Sequence, residues 1–232
     1  MGKRAPLPMA LGPSPLDRLM KLLAIDTAGW DCSVALWEDG QELSFQTRSF
    51  ERDQAAHLPQ LVKEVMGQHT IDQILVNIGP GSFTGIRLGL AFAKGLAIGW
   101  DIPLKGMDSF TATYESIDPS EDVLVLIDAR RVDVFARRYR EGVAQDSESL
   151  TRQEVEAVLN APNPPALSGS GIHPFLDGLS FKEIVSPWRG AQRLAHVFFK
   201  NPELVSEPLP YYLREADVTY GPPSLKARNN GE

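Results

Sequence analysis

Cysteine is all but missing from this chain. Cys32 is the only one in 232 residues, which excludes an internal disulfide and any cysteine-based zinc cluster. Long apolar runs are missing as well. No stretch approaches the roughly 18 consecutive apolar residues of a membrane-spanning helix, so a reducing, cytoplasmic setting without a membrane is expected. Positive charge is in deficit: 23 Lys and Arg against 30 Asp and Glu leave a net charge of −7. Nucleic-acid affinity rests on cations that neutralise phosphates, so any such work would need a basic partner. Paired histidines are absent too. His57 has Leu61 one helical turn on, where a metal-binding helix needs a second histidine, and no Ser-His-Asp arrangement or paired carboxylates stand out. No cofactor and no metal are expected.

What remains is ordinary for a globular protein, with 43% hydrophobic and 23% charged residues, enough for one large domain or two small lobes. Glycine is concentrated in one place, Asn77 to Gly99, NIGPGSFTGIRLGLAFAKGLAIG. The apolar run Ile74-Leu75-Val76 with Ile78 predicts a strand over Asp72–Ile78, the turn Gly79-Pro80-Gly81 follows, and a helix is predicted from about Phe83 to Ile98. Ser82 or Thr84 can cap its start and Gly99 end it. Gly85, Gly89 and Gly95 are interior to that helix, each costing roughly 1 kcal/mol relative to alanine. Gly85, Gly89, Ala93 and Ala97 share one stripe, with Phe92 and Leu96 beside it and Ile86, Leu88 and Leu90 flanking. Only Arg87 and Lys94 mark a polar edge. A helix apolar nearly all round is buried on more than one side, and the chain's own sheet covers only one. The expectation is that the glycine stripe meets a helix of another chain, so that Gly89→Leu keeps a cooperative melt and loses association. A phosphate loop is the rival reading of the same glycines, but Ile86-Arg87 follows Gly85 where a Walker loop needs Lys then Ser or Thr, and G-x-G-x-x-G is unmet.

Around this stretch, residues 1–20 carry prolines without periodicity and read as a disordered leader; Met20, just before the first strand, is a candidate start. Leu22–Ile25, Asp31–Trp37 and Leu43–Thr47 read as three strands. Asp26-Thr27 ends the first; such a carboxylate and hydroxyl serve phosphate- or metal-binding hairpins, or simply favour a turn. Leu58, Leu61, Val62 and Val65 have helical spacing, with Pro59 opening or kinking that helix. A short strand at 102–106, a helix over Asp108–Ser116, the break Asp118-Pro119-Ser120, a strand over Asp122–Asp128 and its hairpin partner Val132–Tyr139 follow. Thr151-x-x-Glu154 is a capping box. Beyond Pro162-Asn163-Pro164-Pro165, the turn Ser168-Gly169-Ser170-Gly171 can face a nucleotide or be plain loop. Arg189–Lys200 reads as a last helix, Leu209–Arg214 as an extended end, and residues 217–232 as a disordered tail.

Leu23-Ala24-Ile25-Asp26-Thr27, Cys32-Ser33-Val34-Ala35-Leu36, Gly79-Pro80-Gly81-Ser82-Phe83-Thr84-Gly85-x-Arg87-x-Gly89, Lys94-Gly95-Leu96-Ala97, Ile127-Asp128-Ala129-Arg130 and Tyr212-Leu213-Arg214 resemble the TsaB (YeaZ) family of tRNA threonylcarbamoyladenosine biosynthesis. The likeness spreads over roughly Lys21 to Ala216 and departs from the family at Arg131-Val132-Asp133. It implies an α/β chain with the two-lobe actin-like ATPase (ribonuclease H-like) fold, residues 21–107 forming the first lobe and 108–216 a reduced second one. It also implies a non-catalytic scaffold and activator, paralogous to TsaD, the subunit that transfers threonylcarbamoyl to the adenosine beside the anticodon. TsaD would be bound in a heterodimer, TsaE would join in the larger complex, tRNA would be reached only through the complex, and a homodimer of the isolated chain stays open. The first-lobe helices then supply the interface: Leu58, Leu61, Val62, Val65, Gly85, Leu88, Gly89, Phe92, Ala93 and Leu96. The alternative is a small actin-like kinase or peptidase that holds nucleotide with Asp26, Thr27 and the turns at Gly79, Gly81 and Gly169.

Overall fold

The structure is a computed structural model that describes residues 19–49, 54–117, 122–173 and 175–213. The expected leader up to residue 18, the break at Asp118-Pro119-Ser120, Arg214 and the expected tail lie outside the described residues.

Three strands, β1 (Lys21–Asp26), β2 (Asp31–Glu38) and β3 (Gln41–Ser49), form an antiparallel meander. After α1 (Gln54–Met66), β4 (Gln73–Asn77) pairs parallel to β1, and after α2 (Phe83–Trp100), β5 (Leu104–Met107) pairs parallel to β4. The sheet order is β3-β2-β1-β4-β5. Leu22, Leu23, Ala24 and Ile25 of the central β1 are fully buried, because helices cover both faces of the sheet and a strand covered on both faces reads as a continuous apolar run. One face carries α1 and α2 through Leu58, Leu61, Ile86 and Leu90. α1 starts at Gln54 and runs through Pro59 in its interior.

The chain then repeats itself. After α3 (Ser109–Glu115), β6 (Val123–Asp128), β7 (Asp133–Arg140) and β8 (Val143–Thr151) make a second meander, and after α4 (Arg152–Leu159) a three-residue β9 (Ala166–Ser168) pairs parallel to β6. The order β8-β7-β6-β9 reproduces the first sheet strand for strand and stops one strand short. This is the two-lobe actin-like arrangement with a reduced second lobe. The capping box at Thr151 forms as read, its side chain accepting from the Glu154 amide.

The lobes are not consecutive in sequence. α5 (Gly190–Lys200) returns to the first sheet and covers its second face, where Ala191, Leu194 and Ala195 pack with Leu22, Ala24, Ala35 and Trp37. Past α5 the chain runs along β5, with Gly106 and Ser206 exchanging amide hydrogen bonds of 2.9 and 2.8 Å, and the Tyr211 amide donates to the Ile78 carbonyl at 2.7 Å.

Two local expectations are corrected. β8 was not expected, because VAQDSESLT is mostly exposed on an edge and lacks apolar alternation. α2 continues past Gly99 to Trp100 and ends on Asp101, which takes the left-handed conformation with φ of 53°. Asp is among the residues that tolerate it. Among the described residues no helix is long and apolar enough to cross a membrane.

Candidate functional site

The turn between β4 and α2 is built from its own hydrogen bonds. Asn77 is buried, and its Oδ1 accepts from the Gly79 amide at 2.8 Å and from Ser109 Oγ at 3.0 Å. Ser82 caps α2 by accepting from the Gly85 amide. Thr27, fully buried at the end of β1, donates from Oγ1 to the Gly85 carbonyl at 2.7 Å. That bond draws the helix onto the strand. A Cβ on Gly85 would lie 1.9 Å from the Thr27 carbonyl oxygen, and one on Gly89 would lie 2.4 Å from Thr27 Oγ1. The close neighbour of this glycine stripe is the chain's own β1, not another chain.

The expected interface is therefore corrected. Leu58, Leu61, Val62, Val65, Gly85, Gly89 and Ala93 are all buried in the chain's own core, where no second chain reaches them. Leu88, Phe92 and Leu96 are only half-buried against that core. The outer face of α2 carries a second small-residue stripe instead. Ala91, Gly95 and Gly99 recur every four residues and are exposed, and neither Gly95 nor Gly99 has anything within 4 Å of where a Cβ would stand. Leu88 and Phe92 border it, and Ile98 beside it is 83% exposed.

Between the lobes lies a cleft of about 240 Å³, lined by Asp26 and Asn77 of the first sheet's strands and by Ser109 and Thr113 of α3 among others. Asp26 Oδ1 accepts from the Ala28 amide at 2.9 Å. Burial pushes its carboxyl above the usual carboxylate range, against the hydrogen bonds of Ala28 and Asn77 and the charge of Arg193, which pull it down. Burial also pushes the Cys32 thiol up to about 12, with Asp26 and Asp31 adding to the effect. A thiol held protonated is not a nucleophile. From the second lobe come Asp128, Arg130 and Ser170. They meet the first lobe directly: Trp30 Nε1 donates to Asp128 Oδ2, Arg130 donates to the Gly29 carbonyl, and its guanidinium lies 4.3 Å from the centre of the Trp30 ring. The two strand-to-strand turns that face each other across the cleft are thus joined by a side-chain latch.

Of the residues read as facing a nucleotide, Asp26 lines the cleft, as does Ser170 of the turn Ser168-Gly169-Ser170-Gly171. Thr27 is consumed by α2. Gly79, Gly81 and Gly169 back onto the chain itself, where a Cβ would come within 2.6, 2.4 and 2.2 Å of the carbonyl oxygens of Tyr211, Ala28 and Leu126. Among the described residues no group of three His, Cys, Asp or Glu side chains is placed to hold a metal ion.

A family model described as TsaD: tRNA N6-adenosine threonylcarbamoyltransferase matches residues 48–175, more than half of the 232. The chain belongs to the TsaD family. Among the curated relatives it resembles are TsaB proteins. It is 32% identical over 149 residues to the tRNA threonylcarbamoyladenosine biosynthesis protein TsaB of Escherichia coli, a match covering 60% of this chain and 62% of that one. To the protein of the same name from Haemophilus influenzae it is 33% identical over 136 residues, 55% of this chain and 57% of that one. The match thus spans about three fifths of the length of these curated relatives. YeaZ from Pseudomonas aeruginosa superposes with a TM-score of 0.63 at 22% identity, over 84% of this chain and all of that one, which shows the same fold.

Several residues of the site escaped the sequence reading. Trp30 and the two arginines Arg189 and Arg193 carry no local signal, since they reach the cleft only through tertiary structure. Asp128 and Arg130 stood in a motif shared with the TsaB proteins but without a role; the structure makes them half of the latch.

Proposed function

We propose that this chain serves tRNA threonylcarbamoyladenosine biosynthesis as a non-catalytic subunit, and that it binds TsaD through the outer face of α2. The names of its curated relatives support the pathway. The observation that carries the binding mode is the exposed stripe Ala91, Gly95 and Gly99, bordered by Leu88, Phe92 and Ile98. Small residues let a second helix approach closely, and the flanking apolar side chains supply the area that association removes from water. TsaD is the partner that the family match suggests, and a stripe of small residues suits packing against a helix of a second chain. A non-catalytic role agrees with the placement of Gly79, Gly81 and Gly169 against the chain's own backbone and with the high pKa of Cys32. TsaE and tRNA would meet this chain only within the larger complex.

The test is Gly95→Leu, which adds four carbons at a site with open space around it. The variant should melt like the wild type while TsaD binding weakens at least about tenfold, equivalent to about 1.4 kcal/mol, and tRNA modification in a reconstituted system falls with it. Calorimetric titration with TsaD and thermal unfolding of the variant alone are the paired measurements. Wild-type affinity in both Gly95→Leu and Gly99→Leu would reject this face.

A further inference from the structure

We propose that Arg87 and Lys94 are the charged anchors of the outer face of α2 and select a partner helix that carries two carboxylates about two turns apart. The inference rests on the reading of that face as the TsaD-docking surface. Arg87 and Lys94 are the only charged residues among the 18 of α2. Seven positions make almost two full turns, so both project from one line of the helix, about 10 Å apart along its axis. Both are exposed, beside Ala91, Gly95 and Ile98. In a chain whose net charge is −7, this helix carries positive charge alone.

Arg87 is held in place although it is exposed. Its guanidinium lies 3.6 Å from the centre of the Phe83 ring on its own helix and 5.8 Å from that of Tyr212. Its Nε donates to Tyr212 Oη at 3.1 Å, and the two rings stand 5.0 Å apart. Tyr212 is 125 residues away in sequence, so tertiary structure fixes this side chain. An arginine already ordered loses little further freedom when a partner docks, and ordered Arg and Tyr side chains are the types that dominate interface energies. Among the described residues Nη1 and Nη2 have no acceptor, and neither Arg87 nor Lys94 forms an ion pair.

The row that carries Arg87 sets where a carboxylate would fall. Phe83, Arg87, Ala91, Gly95 and Gly99 follow one another at four-residue intervals, the spacing of the rows that interlock when helices pack. Large side chains fill its N-terminal end, and its C-terminal end is open. A partner helix lying along Gly95 and Gly99 therefore meets the Phe83–Arg87–Tyr212 stack at one end, where a carboxylate can accept from both terminal nitrogens of the guanidinium. A nucleic-acid backbone is the poorer occupant, because two cations among apolar side chains give few of the phosphate contacts on which its affinity rests.

Titration of the full chain with TsaD at about 0.01 and 1 M salt, between which the screening length falls from about 30 to 3 Å, separates the charges from the small-residue stripe. Wild-type affinity should fall with salt. At low salt Arg87→Gln should weaken binding at least about tenfold and Lys94→Gln by a smaller factor. Arg87→Lys, which keeps the charge and loses the fork, should lie between Arg87→Gln and wild type, and the double glutamine variant should lose the salt dependence. Gly95→Leu tells the two readings apart. Unchanged TsaD affinity in that variant removes the docking face and this inference with it. Weakened binding there, with wild-type affinity in the double glutamine variant, refutes the anchors and leaves the face. Salt-independent wild-type binding refutes them without any variant, and tRNA binding by the isolated chain that the double variant abolishes would assign the two cations to phosphates instead.

Discussion

At its N-terminal end α2 brings Gly85 and Gly89 so close to Thr27 that no side chain fits, while at its C-terminal end Gly95 and Gly99 have empty space around them. The residue type is the same and the helix is continuous, yet the first pair is a packing requirement of the fold and the second is a surface. Glycine content alone therefore does not say which side of a helix is crowded. The neighbour decides: a buried threonine just past the end of β1 beneath the first pair, and nothing among the described residues above the second.

Substitutions at the two ends should separate cleanly. Gly85→Ala places a Cβ 1.9 Å from a backbone oxygen, which a rotamer change cannot relieve. We expect destabilisation at or above the upper end of ordinary overpacking, about 3 kcal/mol, a fall in melting temperature of about 6–12 °C for a chain of this size; a wild-type melt would show that β1 and α2 are further apart than they stand here. Gly89→Leu should behave alike, the reverse of the cooperative melt that the sequence alone led one to expect.

Thr27→Val sharpens the comparison from the other side of the contact. It keeps the shape and removes the donor to the Gly85 carbonyl, so about 1 kcal/mol of stability should be lost, read as a shift in the denaturant midpoint with an unchanged slope. A neutral result would mean that shape alone docks the helix. The smallest effect, and one of opposite sign, is expected for Gly95→Ala. With no neighbour to clash, it should raise stability by about 0.5–1 kcal/mol through helix propensity. Loss of stability there would place an unseen contact on the outer face.

The strands and helices of the first lobe were legible because each carries an apolar run or stripe whose period gives its type, as Leu22–Ile25 and Leu58-Leu61-Val62-Val65 do. The edge strand β8 was not, since an exposed edge imposes no apolar alternation on Gln145, Asp146, Ser147 or Glu148. For α2, periodicity grouped Gly85 with Gly89 correctly but could not say which stripe faced home, because two stripes on an almost wholly apolar helix differ only in what the rest of the fold lays against them. The cleft was least legible of all. Trp30, Asp128 and the pair Arg189 and Arg193 come from three distant stretches, and no pattern within any one of them announces that it will share a cavity with the others.

The return of α5 to the first sheet has a consequence for how the protein comes off the ribosome. The face formed by Leu22, Ala24, Ala35 and Trp37 is sealed by a helix that begins 82 residues after β5 ends. At translation rates of about 5–20 residues per second, that helix emerges about 4–16 s later than the sheet it covers. Through that interval the nascent first sheet exposes an apolar face, so the N-terminal lobe cannot complete its folding until a helix made after the whole second sheet has emerged.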